Sequence, residues 1–460
     1  VIRNEEVLAE GETAGVKDES LMDFLEDHLD GENVEEPPKK VRRYDIDWLR
    51  VILFALLIPF HVGIGVYWNL YGDEVNPNFE GLSREERWEI AENGNDYTSE
   101  SVDFPSMLLH WMHQWRLAGL FMISGMGTAF AFKNRTWGLF LRERSKRLLI
   151  PMFIGAWTMG FAGSVITENQ NLDLAELTFE FLWGIIWRTL FFWVPFVGKL
   201  YALGHLWFLW NLFQYSLLLT PVFYLVRNYP TGKTSRFLKS LFTLPKNSGV
   251  LIILPILLVV TEIIFKPWFA GYIGVGYEWF WFLVFFLFGY ACIVAKNQYY
   301  EFIENQRTLI SSLTIFWTIA FVWIRLEQEK SGVPYVDGGW LQNGILHNQM
   351  TILACIIHSF HAWFWCLSIF SWSAYFLNVP SKNLVYLNQG VYPFYIVHMP
   401  LTFAGLKIAG NLGLKNFSAV IVATFFVTLT CWAFFELVRR TRITRFMFGI
   451  KESRLSIEEK

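Results

Sequence analysis

Long uninterrupted blocks of apolar residues constrain this chain more than any other sequence feature. Several blocks approach roughly 20 residues, the length that a helix needs to cross the hydrocarbon core of a bilayer. Of the 460 residues, 53% are hydrophobic and 17% are charged, whereas soluble domains carry about 25% charged residues. Because backbone polar groups must find their partners internally within lipid, these blocks predict membrane-spanning α-helices.

The predicted fold is all-α, a polytopic transmembrane helix bundle of about ten spans with both termini cytoplasmic. The polar breaks between apolar blocks place the spans at residues 45–68, 105–131, 148–167, 203–226, 249–265, 279–296, 308–325, 346–377, 385–408 and 416–438. Segment 178–197 is also apolar, but Arg188 and Pro195 interrupt it, so we interpret it as an interfacial or re-entrant piece.

Basic residues set the predicted orientation. They cluster before the first span, between the second and third spans, after the fourth span and after the tenth. With ten spans these clusters share one side, and the positive-inside rule makes that side the cytoplasm. The loop at 73–103, on the opposite side, is acidic.

The cysteines and one histidine pair carry no expected metal or disulfide chemistry. The cysteines are Cys292, Cys355, Cys366 and Cys431, all within apolar blocks, and we interpret them as buried thiols. His358 and His361 share one predicted span, but no carboxylate neighbours them along the chain. We therefore expect no metal site there.

The first span contains two costly polar residues, Arg50 and His61. An ionisable side chain at membrane depth costs about 2.5–3.5 kcal/mol or more, so each one needs an explanation. Their separation of eleven residues returns to nearly the same helix face. His61 alone is as consistent with a core histidine as with a functional one. Arg50 is consistent with snorkelling to the headgroups, and Asp47 can pair with it three residues earlier.

The second span and the loop after it carry further polar residues. Arg116 lies within the span without a carboxylate nearby in sequence, so it should face a polar interior. Ser124 is followed by a glycine, and such small residues permit close helix contact.

Arg144 and Arg147, in the loop after the second span, share one helix face three residues apart, which suits phosphate groups. From the sequence alone, an anchor to anionic lipid is the favoured interpretation of the pair. Later spans add His205, His398 and Glu436.

These pieces, in this order, resemble the acyltransferase 3 family of membrane-bound acyltransferases. The matching segments are Asp47-Trp48-Leu49-Arg50 with His61, Arg116 with Phe121-Met122-Ile123-Ser124-Gly125, Arg144-Ser145-Lys146-Arg147, His205-Leu206-Trp207-Phe208-Leu209, Tyr392-Pro393-Phe394-Tyr395-Ile396-Val397-His398, and Glu436. The resemblance divides the chain into an acidic, flexible tail at 1–42, a transmembrane acyltransferase domain at 43–448 and a cytoplasmic tail at 449–460.

The resemblance implies an activity and roles for single residues. The donor is a cytoplasmic acyl-CoA, acetyl-CoA or succinyl-CoA, and the acceptor is a carbohydrate outside the membrane. His61 becomes the catalytic base or a transient acyl carrier, and Arg144 and Arg147 contact the CoA phosphates. Arg50 contacts the donor or lines its path, while Arg116 or His205 polarises the thioester carbonyl.

Within the family, Ile58-Pro59-Phe60-His61 and Gly204-His205-Leu206-Trp207 look like the branch called glucan biosynthesis protein C, which succinylates periplasmic glucans. This likeness implies a multi-pass protein of the bacterial inner membrane, with no permanently bound cofactor and no nucleic-acid partner. The alternative function is a transporter or exporter of a glycan or small solute, since buried charges suit both classes. Nothing in the sequence indicates an oligomeric state.

Overall fold

The structure, a computed structural model, describes residues 43–67, 104–133, 135–166, 205–244, 247–266, 276–331 and 349–450. All regular secondary structure in these ranges is helical, which confirms the predicted all-α class. The acidic tail at 1–42 and the apolar segment at 178–197 lie outside the described residues, as does most of the predicted C-terminal tail.

The helices follow the apolar blocks closely. In chain order they are α1 (Asp45–Ala55), α2 (Leu57–Tyr67), α3 (Phe104–Phe132), α4 (Trp137–Ile166), α5 (Trp207–Leu218), α6 (Thr220–Asn228), α7 (Lys233–Thr243), α8 (Leu254–Phe265), α9 (Tyr277–Val294), α10 (Lys296–Asn305), α11 (Arg307–Ser331), α12 (Gln349–Phe376), α13 (Lys382–Asn411), α14 (Asn416–Val438) and α15 (Arg442–Met447). A π-helical turn, Gly249–Ile253, precedes α8.

Within the described residues, six helical segments are long and apolar enough to cross a membrane. They are Asp45–Tyr67, Phe104–Phe132, Tyr277–Val294, Arg307–Glu327, Met350–Phe376 and Asn416–Val438. The pair α5 and α6, bent by 50°, makes a seventh if it is one broken span. Helices also occupy the other predicted spans, as α4, α13 and the shorter Gly249–Phe265. A multi-span helix bundle is therefore confirmed, while the number ten and the orientation of the termini stay predictions.

Burial separates central helices from lipid-facing ones. In the apolar stretch of α3, 67% of the residues are buried inside the protein, whereas in that of α14 only 22% are buried. Most of the exposed residues of α14 are large and apolar, among them Phe417, Ile421 and Phe425. Exposing a face of large apolar side chains to water is unfavourable, so we assign this face to contact with lipid. The four cysteines are free and buried, as predicted.

Two glycines let α3 and α9 cross at backbone contact. A Cβ atom on Gly125 would overlap the carbonyl oxygen of Phe286, and a Cβ on Gly289 would overlap that of Met122. Each glycine thus receives the backbone of the opposite helix. Small residues at such positions allow close packing within membranes, where apolar surface alone gives helices no preference for one another over lipid. The close helix contact predicted at Ser124-Gly125 is confirmed.

We expect the Gly125→Ala substitution to destabilise the bundle by at least about 1–3 kcal/mol, the usual cost of overpacking. The new methyl group meets backbone atoms that cannot rotate away. The thermal unfolding midpoint of the purified protein in detergent measures this effect. Gly138→Ala is the matched control, because nothing lies within 4 Å of the Cβ position there. Equal midpoints for both variants would contradict the packing argument.

Candidate functional site

The first span is broken between its two candidate residues. Its helix is interrupted at Leu56, and Pro59 lies in the first turn of the second half. Proline has no N–H, so the carbonyl of Ala55 loses its usual partner there. Despite the break, Arg50 interacts electrostatically with Tyr392, and the His61 ring contacts the His398 ring. Both side chains therefore face α13, which agrees with the single polar stripe that their spacing predicts.

Three histidines from three different parts of the chain meet at one place. The ring centroid of His398 lies 4.9 Å from that of His61 and 4.9 Å from that of His205. His398 is buried, with 1% of its surface exposed, whereas His61 and His205 are half-buried. We call His61, His205 and His398 the histidine cluster. The sequence pointed to each residue singly, and the fold brings all three together.

Backbone carbonyls fix the tautomer of each ring. Nδ1 of His61 lies 2.9 Å from the Leu57 carbonyl oxygen, and Nδ1 of His398 lies 2.7 Å from that of Tyr395. A carbonyl oxygen only accepts, so each of these nitrogens must carry the hydrogen. In the neutral rings Nε2 therefore keeps its lone pair. Nε2 of His398 is enclosed and has no hydrogen-bond partner among the described residues.

His205 is held as the other tautomer, with the hydrogen on Nε2. Its Nε2 lies 3.0 Å from the Ile396 carbonyl oxygen, so Nε2 is the donor. Four residues after Ile396 comes Pro400, which cannot supply the usual helical N–H to that carbonyl. The proline thus frees an acceptor, and His205 occupies it. The Tyr395 hydroxyl also donates to the His205 carbonyl. His205 is consequently a bridge that joins the start of α5 to α13.

We expect the His205→Phe substitution to cost about 1–3 kcal/mol of stability, because it leaves the Ile396 carbonyl buried without a donor. His205→Gln should retain most of the stability, since its amide nitrogen can replace Nε2 as donor. The thermal unfolding midpoints of the two variants measure the difference. Equal losses would show that the ring's packing, and not this hydrogen bond, matters.

Arg116 approaches the same region from α3. Its Cζ atom lies 3.8 Å from the centroid of the Phe60 ring, which is a cation–π contact. Arg116 is 1% exposed and interacts electrostatically with both His61 and His398. It faces the interior of the bundle, as the sequence predicts. A fixed positive charge at this place suits a group that develops negative charge.

A separate group of arginines lies at the other end of the stripe. Arg50, Arg144 and Arg147, here called the arginine cluster, interact electrostatically with one another. Nη1 of Arg50 lies 3.6 Å from Oδ1 of Asp47. Among the described residues whose charges act on Arg50 and Arg144, Asp47 is a carboxylate and Arg135 a further guanidinium, so the arginine cluster keeps a net positive charge. Such a group attracts phosphate.

The arginine cluster is held by residues that the sequence did not single out for this purpose. Arg144 donates from Nη2 to the Thr128 hydroxyl, and that hydroxyl donates to the Ser124 carbonyl at 2.8 Å. Tyr392 interacts electrostatically with both Arg50 and Arg144. The Ser124 hydroxyl is bonded to the Leu120 carbonyl of its own helix at 2.8 Å. Ser124 therefore supports the arginine cluster through its backbone.

Glu436 lies with a different set of partners. Its Oε1 accepts from the Tyr386 hydroxyl at 2.5 Å, and its Oε2 lies 3.3 Å from Nε of Arg439. These contacts join the ends of α13 and α14, and they include none of the three histidines. The structure thus places Glu436 in a helix-joining contact.

Aromatic residues come between members of the two polar clusters, or residues that interact with them, along the first span and along α13. Phe54 is located on the first span between Arg50 and His61, and its ring centroid lies 5.8 Å from that of Tyr395 and 6.4 Å from that of Phe208. Tyr395 and Phe208 are 6.0 Å apart. We call Phe54, Phe208 and Tyr395 the aromatic layer. On α13, Tyr395 likewise comes between Tyr392, which interacts electrostatically with Arg50, and His398.

Comparison with known proteins gives one match. Residues 43–436 fit the family model described as "Acyltransferase domain". That range covers most of the chain and contains every residue of the two clusters. No curated protein and no solved structure matches the chain.

Proposed function

The chain belongs to the acyltransferase 3 family, and from that premise we propose that it moves an acyl group from cytoplasmic acyl-CoA to a hydroxyl of an extracytoplasmic carbohydrate. The observation that carries the proposal is the tautomer of His61. Its Nδ1 is committed to the Leu57 carbonyl, so Nε2 keeps a lone pair. A hydroxyl group attacking a thioester must lose its proton, and a neutral imidazole nitrogen suits that task.

In the direct reaction, Nε2 of His61 takes the hydroxyl proton as the oxygen attacks the thioester carbonyl carbon. The C–S bond then breaks, and the CoA thiolate takes the proton from the imidazolium. Arg116 stabilises the negative charge that develops on the carbonyl oxygen. In this scheme His205 positions the cluster, because its donor nitrogen is committed to the Ile396 carbonyl.

In the two-step alternative, Nε2 of His61 itself attacks the thioester carbonyl carbon, the C–S bond breaks, and CoA leaves as the thiolate while the ring carries the acyl group. His61 is then no longer available as a base for the incoming hydroxyl. Nε2 of His398 fits that role, because it has a lone pair, lies in the neighbouring ring and has no partner among the described residues. The thiolate finally takes up the proton that the acceptor hydroxyl loses in the second step. The two schemes differ in one species, an acyl-histidine that rapid quenching and mass spectrometry detect.

The arginine cluster supports a cytoplasmic donor. We assign the CoA phosphates to Arg144 and Arg147, with Arg50 on the path of the pantetheine arm towards His61. Basic residues favour the cytoplasmic side, which puts both termini and the arginine cluster there. Acetyl or succinyl as the acyl group, a glucan as the acceptor and the bacterial inner membrane as the location rest on the sequence resemblance.

Purified protein in detergent tests the proposal. The expected result is acceptor-dependent release of CoA thiol from acetyl-CoA or succinyl-CoA, with a matching mass increase of an added glucan oligosaccharide. A transporter in the same detergent consumes no thioester. Absence of thiol release with both donors, in protein that still unfolds cooperatively, would refute the activity.

A further inference from the structure

A second set of polar residues is buried in the bundle, on helices that contribute nothing to the histidine cluster. Glu262 and Lys266 lie at the end of α8, and His358 lies on α12. The exposed fractions of their side chains are 1%, 3% and 12%, respectively. We call these three residues and Ser359 the outer polar cluster. The sequence shows no carboxylate beside His358, because Glu262 comes from 96 residues earlier.

Donors saturate the Glu262 carboxylate. Oε1 lies 3.0 Å from Nζ of Lys266, while Oε2 lies 2.8 Å from Nδ1 of His358 and 3.1 Å from Oγ of Ser359. A carboxylate so occupied has little capacity left for a ligand. Its effect is to balance the lysine charge and to hold the His358 ring.

The contact leaves one functional nitrogen on His358. Nδ1 must carry the hydrogen that faces the carboxylate, so Nε2 of the neutral ring is an acceptor. Nε2 has no hydrogen-bond partner among the described residues and is not fully enclosed. The ring stacks on Trp281, with centroids 5.0 Å apart and an interplanar angle of 6°. Carboxylate and indole together hold the imidazole in one orientation.

Helix attachment alone does not explain this arrangement. Apolar residues of similar volume hold helices together at least as well as a buried ion pair, and ionisable residues within the membrane mark functional sites by default. What this cluster provides that apolar packing lacks is an oriented imidazole acceptor. By the orientation proposed above, the end of α8 and the start of α9 lie in the extracytoplasmic half.

We propose that Nε2 of His358 accepts a hydrogen bond from a hydroxyl of the acceptor glycan, on a sugar unit other than the one that is acylated. This inference rests on the proposed function. The histidine cluster is built from α2, α13 and His205, whereas the outer polar cluster is built from α8 and α12. We infer that a polymeric acceptor contacts both places at once, whereas a disaccharide held at the histidine cluster contacts only that cluster. His358 thereby selects for acceptor length.

The test compares linear β-glucan oligosaccharides of increasing length, from disaccharide to octasaccharide, as acceptors for the detergent-purified protein. His358→Asn is the informative variant, because its amide nitrogen can replace Nδ1 at Glu262 while nothing replaces Nε2. We expect kcat/KM for the octasaccharide to fall about tenfold, the effect of one hydrogen bond. The value for the disaccharide should not change.

Thr261→Val is the matched control on α8, since Thr261 is buried next to Glu262 but its hydroxyl donates to the Leu257 carbonyl of its own helix. Its length dependence should equal that of the unaltered protein. An equal loss at every length in His358→Asn, or a loss that Thr261→Val shares, would show that the outer polar cluster only holds helices together. Failure of the proposed function has a different result: the unaltered protein would acylate no oligosaccharide of any length, which would overturn both proposals.

Discussion

The His61→Ala variant is expected to transfer acyl groups about 100- to 10,000-fold more slowly than the unaltered protein, the usual effect of losing a general acid–base group. The reason is local. The Leu57 carbonyl occupies Nδ1 of His61, so the lone pair of Nε2 stays available for the reaction. Arg116 acts electrostatically on the same ring. Initial rates of CoA thiol release with saturating acceptor measure the effect.

A control variant separates chemistry from folding. His361→Phe also removes an imidazole from the interior, but His361 contacts Phe321 and Trp365 instead of the histidine cluster. It should retain activity. If His61→Ala keeps the activity of the unaltered protein, the assignment of His61 fails under both the direct and the two-step scheme.

Replacing Arg144 and Arg147 together with alanine should raise the KM for acyl-CoA by about 10- to 100-fold per lost phosphate contact, since hydrogen bonds to charged groups contribute about 1.5–3 kcal/mol. The rate at saturating donor should change little, because neither residue belongs to the histidine cluster. Steady-state kinetics with acyl-CoA give both values.

A phosphate-free donor makes this second prediction specific. Acyl-pantetheine carries the thioester without the phosphates, so the double variant and the unaltered protein should use it equally well. Arg142→Ala is the control on the same helix, since Arg142 is exposed and is not among the charges that act on Arg144. Equal losses with both donors would favour the lipid-anchor interpretation of the two arginines.

The sequence predicted the helices and one polar stripe, because both depend on local physics. A block of about 20 apolar residues has few alternatives to a membrane helix, and a spacing of eleven residues returns to one helix face. Thus Arg50 and His61 were expected on one side of the first span, and both face α13. The break at Leu56 did not remove this relation.

Contacts between distant helices were beyond the sequence. Proline at position 400 predicts a free carbonyl at Ile396, but nothing in the chain indicates that His205 occupies it. In the same way, Glu262 and His358 look unrelated until α8 packs against α12. Such pairs depend on tertiary geometry, which periodicity and spacing along one chain do not indicate. The support of Arg144 by Thr128 belongs to the same class.

The aromatic layer has a consequence for the living membrane. A protein that takes one substrate from each side of a bilayer must not let ions pass through it. Each elementary charge that crosses a potential of 100 mV releases about 2.3 kcal/mol. The rings of Phe54, Phe208 and Tyr395 meet edge to face and offer a hydrated ion no replacement for its water. A slender thioester arm needs no such hydration. Under the proposed function, these apolar rings would therefore admit the acyl arm of the donor while opposing the passage of ions.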